Sequence, residues 1–173
     1  MKLPKTTSPY ILVRHSTIHG RGVFAKSDIP KGARIIEYVG EKVTKAESDR
    51  RGKLHVDQHK NNRTFGAVYL FELNKRHDID GNVPYNTARY INHSCDPNAE
   101  TEIIRGKIWI MALKDIKKGE EIFYNYGYGL DDFEEHPCKC GTNRCVGYIL
   151  DEELWPKIKK NLLSKNIQYP AKS

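Results

Sequence analysis

The chain has 173 residues, of which 38% are hydrophobic and 29% charged, and a net charge of +7. That length suits one domain with a packed core, and no apolar run approaches the roughly 20 residues of a membrane span. Residues 1–8 are polar and lack a secretory apolar region, so composition predicts a soluble intracellular protein without a membrane partner. A pI near 9.2 fits either a solvated basic surface or a nucleic-acid-associated context. The lysines are scattered, with one late cluster at Lys157, Lys159 and Lys160.

In chain order, residues 10–14 read as a short strand. Gly20-Arg21-Gly22 follows; glycines flanking one residue let backbone approach a ligand, and they also suit a tight turn. Residues 27–32 form a turn, and residues 34–39 a strand ended by Gly40. Residues 44–51 read as a helix, with Thr44 as N-cap and Glu47 as its capping-box partner. Residues 55–64 are polar and read as loop. Residues 67–73 read as a strand, and Asp80-Gly81 as a hairpin-type turn. Residues 86–91 make one helical turn that leads into a bend at Asp96-Pro97-Asn98.

Beyond the bend, residues 101–104 and 107–113 flank Arg105-Gly106 as a β-hairpin. Lys117-Lys118-Gly119 turns the chain into a strand over residues 121–124. Residues 127–147 are rich in Gly, Asp and Cys with weak apolar periodicity, so this stretch needs a staple from outside itself. Residues 151–163 read as a helix with Pro156 in its first turns, and residues 168–173 as a frayed tail. Many short strands, Gly/Pro turns and few helices predict a mostly β domain.

The bend holds an amide, an imidazole, a hydroxyl and a thiol in a row, as Asn92-His93-Ser94-Cys95. The other cysteines are Cys138, Cys140 and Cys145. In a reducing compartment their close spacing argues for metal rather than disulfides. Structural zinc takes four tetrahedral ligands; Cys95 or His136 can supply the fourth. Paired Cys-x-x-Cys knuckles of a zinc ribbon are absent. An alternative makes Cys95 a nucleophile with His93 as its base, but a thiolate on zinc cannot also attack. Tyr124 and Tyr126 lie two apart, which places them on one side of a strand; core packing also explains that pattern.

Three motifs carry a family resemblance. Arg89-Tyr90-Ile91-Asn92-His93-Ser94-Cys95-Asp96-Pro97-Asn98, Gly119-Glu120-Glu121-Ile122-Phe123-Tyr124-Asn125-Tyr126, and Cys138-x-Cys140-x4-Cys145 resemble, in this order, the catalytic half of a SET-domain protein-lysine methyltransferase. The resemblance runs from about Ser16 to Ile149. It implies a SET fold of small curved sheets with a pseudoknot, over residues 1–132 with a core of about 11–127. A zinc-bound post-SET segment at 133–150 and a helix and tail at 151–173 follow.

By the same resemblance, S-adenosylmethionine and Zn2+ are the cofactors. Gly20, Arg21, Gly22, Tyr69, Arg89, Asn92, His93 and Tyr126 belong to cofactor binding. Tyr126 is the tyrosine closest to methyl transfer, Tyr38 a wall of the lysine channel, and Tyr124 the residue that tunes the degree of methylation. Cys95 joins Cys138, Cys140 and Cys145 on zinc. Arg21 stands where Trp is common, and Tyr90, Ile122, Phe123 and Asn125 depart from the family pattern. The cysteine-rich pre-SET module of some relatives is missing, and an initiating Met1 suits a small complete enzyme.

The expected reaction is mono- to dimethylation of a lysine ε-amine in a protein, a histone or another basic protein. Location follows the host: cytoplasmic in a microbe, nuclear and chromatin-associated in a eukaryote. The expected substrate is an extended segment with an exposed lysine, pairing with a sheet edge around residues 53–63 and the strand after. The competing class is a zinc-stapled basic module that grips a lysine tail or nucleic acid without turnover.

Overall fold

The computed structural model describes residues 5–61, 69–131 and 133–164. Among these residues the chain forms β1 (Ile11–His15), β2 (Arg21–Ala25), β3 (Arg34–Tyr38), β4 (Glu41–Thr44), α1 (Lys45–Asn61), β5 (Leu70–Asn74), β6 (His77–Asp80), β7 (Asn92–His93), β8 (Ala99–Ile104), β9 (Lys107–Ala112), β10 (Phe123–Tyr124) and α2 (Trp155–Ser164). The fold is mostly β, as the turn spacing implies. The strands form four small sheets. The chain divides into two compact units. One holds Met1–Ser8, Arg34–Arg89 and Thr101–Ile110; the other holds Pro9–Ala33, Tyr90–Glu100 and Met111–Ser173.

In the first unit β4, β6 and β5 form an antiparallel sheet in that order, with a register shift between Glu72 and Asn74. The β5–β6 turn is Lys75-Arg76. The side-chain oxygen of Asn74 accepts the amides of Arg76 at 2.9 Å and His77 at 3.0 Å, an Asx turn. The hairpin turn expected at Asp80-Gly81 therefore lies one strand earlier. Gly81 serves packing instead: a Cβ there would sit 2.2 Å from the Tyr38 hydroxyl. The strand expected at residues 67–73 starts at Leu70, and residues 67 and 68 lie outside the described residues. The sheet β3-β9-β8 falls mostly in this unit. Arg105 and Gly106 turn β8 into β9 with φ of 51° and 74°, the pair of positive values that a type I′ hairpin turn requires.

Helix α1 is capped as expected: the Glu47 amide donates to Thr44 Oγ1 at 3.3 Å. The Glu47 carboxylate instead engages Arg50 and Arg51 at 2.7 Å, and Arg50 first, then Arg51, holds it down at about 2. The helix runs on to Asn61, so residues 55–61 are helical rather than loop; residues 62–64 lie outside the described residues. No clear apolar stripe marks this helix in sequence. Charges dock it. Arg51 reaches Glu41 at 2.8 Å and Asp80 at 2.7 Å, and Lys45 reaches Glu72 at 2.7 Å and Asp78 at 2.6 Å. Asp78 and Asp80 are buried, where an unpaired carboxylate is costly.

In the second unit β1 and β2 form an antiparallel hairpin, Ile11 opposite Ala25 and His15 opposite Arg21. β7 and β10 pair in parallel, Asn92 opposite Phe123 and His93 opposite Tyr124. The strand expected at residues 121–124 is thus shorter, because Glu121 bridges to Phe24 instead. Val23, Ile29, Ile91, Ile116 and Ile122 are buried. The expected helical turn before the bend is a 3-10 turn, Thr87–Tyr90.

At the C-terminal end Asp151 caps a 3-10 turn, Glu152–Leu154, its Oδ1 accepting the Glu153 amide at 2.8 Å. Pro156 occupies the first turn of α2, where its missing N–H costs nothing. Cys95, Val146, Leu150, Trp155 and Ile158 pack as a small core. The tail, residues 168–173, lies outside the described residues. Arg51→Ala leaves Asp80 without its cation and should lower the unfolding free energy by about 2 kcal/mol, below the range for fully buried pairs because Arg51 stays partly exposed. A urea midpoint unchanged from wild type would contradict that role for Arg51.

Candidate active site

The bend is held from three sides. Asn98 Nδ2 donates to the Glu121 carbonyl at 2.8 Å, and Asn98 Oδ1 accepts the Phe123 amide at 2.8 Å. The Asp96 amide donates to Ser94 Oγ at 3.0 Å. Asn92 Nδ2 donates to the carbonyl of Arg21 at 3.1 Å and to Glu121 Oε1 at 2.9 Å, with the His19 carbonyl at 3.4 Å. Ser16 Oγ donates to Glu121 Oε2 at 3.0 Å. One carboxylate thus ties the β1–β2 hairpin tip to the bend.

That network explains the Gly-Arg-Gly stretch. A Cβ on Gly22 would meet Glu121 Oε1 at 2.1 Å, so Gly22 is required by close approach. Gly20 has φ +50°, and nothing lies within 4 Å of a Cβ built there. The Arg21 guanidinium sits 3.9 Å from the Tyr90 ring centroid, a cation–π contact. Backbone around Gly20 is therefore fixed in place yet open on one side. Glu121 and Ser16 were missed in sequence. Their hydrogen bonds to each other and to Asn92 identify them.

His93 is buried, and its burial pulls the imidazole down to about 4; it is neutral at physiological pH. The Tyr126 amide donates to His93 Nδ1 at 3.2 Å, and the two rings meet edge to face at 5.4 Å. The Tyr126 hydroxyl donates to the Ile91 carbonyl at 2.9 Å. Tyr124 is buried beside it, with ring centroids 5.0 Å apart, although β10 ends at Tyr124 and does not carry both residues. Asn125 Oδ1 accepts the Gly127 amide at 3.0 Å, and Gly127 has φ +65°. The amide shapes this turn as a carboxylate would.

Tyr38, Tyr69 and Arg89 belong to the first unit. The Tyr38 hydroxyl donates to the Tyr69 carbonyl at 2.9 Å, and the Arg89 guanidinium lies 4.7 Å from the Tyr69 ring centroid. Arg89 Nη1 also donates to the Val83 carbonyl at 3.2 Å. Residues 53–61, part of the region expected to select the substrate, are helical and so offer no sheet edge themselves; residues 62 and 63 lie outside the described residues. β5, the strand after it, lies at the outside of its sheet.

The four cysteines converge. Their sulfurs all lie within 4.8 Å of one another, with Cys95 and Cys138 at 3.7 Å. Tetrahedral zinc with bonds of about 2.3 Å sets sulfurs about 3.8 Å apart, so the donor set fits zinc. Among the described residues this is the one cluster of its kind, and it does not include His136, whose ring packs on Tyr128 at 4.9 Å. The Cys140 amide donates to Cys138 Sγ and the Gly147 amide to Cys145 Sγ, both at 3.4 Å. Cys95 does approach His93 Nε2 at 3.4 Å, but its sulfur is fully buried among three others, and a nucleophile needs access.

Gly22→Ala should displace the Glu121 carboxylate and cost about 1–3 kcal/mol of stability by overpacking. The check is thermal unfolding beside Gly129→Ala. That control has open space and no left-handed backbone angle and so should lose less, whereas equal losses would contradict the close-approach argument.

Comparison with known proteins agrees with this geometry. The SET domain model matches residues 20–127. The chain is 36% identical over 151 residues to histone-lysine N-methyltransferase trithorax of Drosophila virilis, covering 85% of this chain and 4% of that protein. It is 38% identical over 154 residues to the H3 lysine-4 specific histone-lysine N-methyltransferase of Saccharomyces cerevisiae, covering 86% and 14%. It is 40% identical over 135 residues to the variant-silencing SET domain-containing protein of Plasmodium falciparum, covering 76% and 5%. The chain therefore spans only a small part of the length of these relatives. With its motifs assembled as described and more than half of its length matched, the chain belongs to the SET-domain family.

Proposed function

We propose that this chain methylates the ε-amine of a lysine in a protein substrate, using S-adenosylmethionine. The observation that carries this reading is Tyr126. Its main chain is held by His93 and its hydroxyl by Ile91, within the matched SET region. The names of the relatives make a histone, and first the histone H3 tail, the substrate to try. In a eukaryotic host the protein would, on this reading, act at chromatin. Among the described residues no helix is long and apolar enough to cross a membrane.

Bound S-adenosylmethionine supplies an electrophilic methyl group on a sulfonium. Gly20, Arg21, Gly22, Asn92 and His93 would hold it, through backbone left open at Gly20 and fixed by the Asn92–Glu121 network. The chain's own task is to present a neutral amine, although lysine has an ordinary pKa near 10.4. Apolar ring faces disfavour the ammonium, and Tyr124 and Tyr126 offer such faces. The Tyr126 hydroxyl has one proton and gives it to the Ile91 carbonyl. Towards a ligand it is then an acceptor, which orients an amine N–H and leaves the amine lone pair pointing elsewhere. Holding two reactants in such geometry lowers the barrier without any general base. Tyr38, Tyr69 and Arg89 keep their family-implied roles as wall and cofactor residues in this reading.

Tyr124 is taken as the residue that limits the product to mono- or dimethyl-lysine, because its hydroxyl occupies space and can hold the amine or a water. Cys95, Cys138, Cys140 and Cys145 would hold zinc, which closes the C-terminal core.

The test is transfer of radiolabelled methyl to histones and to basic proteins of the host. Tyr126→Phe should lower the rate by at least about tenfold, the loss of one positioned hydrogen bond at the reacting group, with the fold unchanged by circular dichroism. A chain that binds lysine tails but transfers no label would leave only a binding module. Tyr124→Phe should shift products towards trimethyl-lysine by mass spectrometry; an unchanged product spectrum would reject its role. Elemental analysis should find about one zinc per chain, and chelation should expose residues 127–147 to protease. Metal-free protein with full protease resistance would remove zinc from the account.

A further inference from the structure

We propose that His93 is a positioning residue that ties the main chain of Tyr126 to the metal-ligating sulfur of Cys95. The imidazole is 5% exposed and stands between the two. Its Nδ1 accepts the Tyr126 amide at 3.2 Å, and a nitrogen that accepts carries no proton. The single proton of the neutral ring is therefore on Nε2. That nitrogen lies 3.4 Å from Cys95 Sγ, so Nε2–H donates to the sulfur. A metal-bound thiolate has lone pairs to receive it, and such donors tune and orient metal ligands.

The other sulfurs have partners of a different kind. Cys138 and Cys145 each accept a backbone amide from their own segment, and Cys140 meets the Thr142 hydroxyl at 3.3 Å. Those contacts are local in sequence and reach no other part of the site. Among the described residues, only the Cys95 sulfur is linked through a side chain to another functional residue. The same ring supports Tyr126 twice, through the amide and through the edge-to-face contact at 5.4 Å. Strength of the metal site and placement of Tyr126 thus share one side chain. The tether from the Tyr126 hydroxyl to Ile91 is separate and fixes the far end of the ring.

This link rests on the four cysteines taking zinc and not on methyl transfer, and its test does not require turnover. The first measurement uses the zinc-loaded wild-type chain. A long-range nitrogen–proton NMR spectrum of His93 should show the proton on Nε2; a ring protonated on Nδ1 overturns the proposal, whatever any variant does. The second compares two variants. His93→Asn keeps an acceptor near the Tyr126 amide and loses reach to Cys95. Zinc affinity, read by competition with a chromogenic chelator, should fall about 10- to 100-fold, while the Tyr126 amide keeps its protection from hydrogen exchange. His93→Gln keeps a donor for Cys95 and loses the acceptor. Zinc affinity should stay within about threefold, while the Tyr126 amide loses its protection from hydrogen exchange. Zinc affinity unmoved by both variants also overturns the proposal. Correct tautomer and zinc shifts without any methyl transfer would leave the link standing and sink the enzymatic reading.

Discussion

Two residue pairs of parallel strand set the rest of the second unit in place. Asn92 lies opposite Phe123 and His93 opposite Tyr124. Parallel pairing gives little stability per residue and joins segments distant in sequence. A ladder this short persists only because side chains close it at both ends. Asn98 takes both the Glu121 carbonyl and the Phe123 amide, and the Tyr126 hydroxyl reaches back to Ile91. The pair brings the amide of the bend to the hairpin tip, and the imidazole to the aromatic residues that follow β10. If the register slipped by one residue, every side chain would change face, and Asn92 and His93 would exchange surroundings. The clamps by Asn98 and Tyr126 are what forbid that slip.

Much of this was legible because some residues act on their own backbone. Thr44 caps α1 by its hydroxyl, Pro97 and its neighbours force the bend, and Arg105-Gly106 makes the hairpin turn. Such effects reach only a few residues, so a short window contains them. The cysteine spacing was legible for another reason: four thiols in this chain, three within eight positions, have few uses in a reducing compartment. Cys95 rather than His136 followed from the family resemblance, since nothing local distinguishes them, and the coordinates bring its sulfur to the other three.

What was not legible depends on partners far along the chain. The docking of α1 rests on Arg51 and Lys45 finding Glu41, Asp78, Asp80 and Glu72, and a helix docked by charge has no apolar stripe to read. The strand His77–Asp80 alternates an acidic residue with His and Ile and carries no strong β-former but Ile79. Its pairing with both β4 and β5 overrides that weak propensity. The turn at Lys75-Arg76 was hidden because Asn74, outside the two turn residues, makes it. Glu121 looked like one of two interchangeable carboxylates in Gly119-Glu120-Glu121. Its partners Ser16 and Asn92 lie 105 and 29 positions away.

The polar groups at the bend are all occupied by the fold, and this bears on the class of chemistry. Glu121 accepts from Ser16 and Asn92, so it is a poor candidate for taking a proton from a ligand. His93 has both nitrogens engaged, by Tyr126 and by Cys95. Cys95 is buried among three other sulfurs. A hydrolase needs at least one of these groups exposed and able to change protonation state during turnover. Here each would have to break a structural contact first, and breaking one would loosen the two-pair ladder itself. A reaction whose electrophile is already activated makes no such demand. It asks for fixed backbone on the cofactor side and for apolar walls with an oriented acceptor on the amine side. In the proposed reaction the Tyr126 hydroxyl would be that acceptor, because its own proton is given to the Ile91 carbonyl. The arrangement therefore favours positioning over proton transfer, which is the division of labour that methyl transfer to a lysine requires.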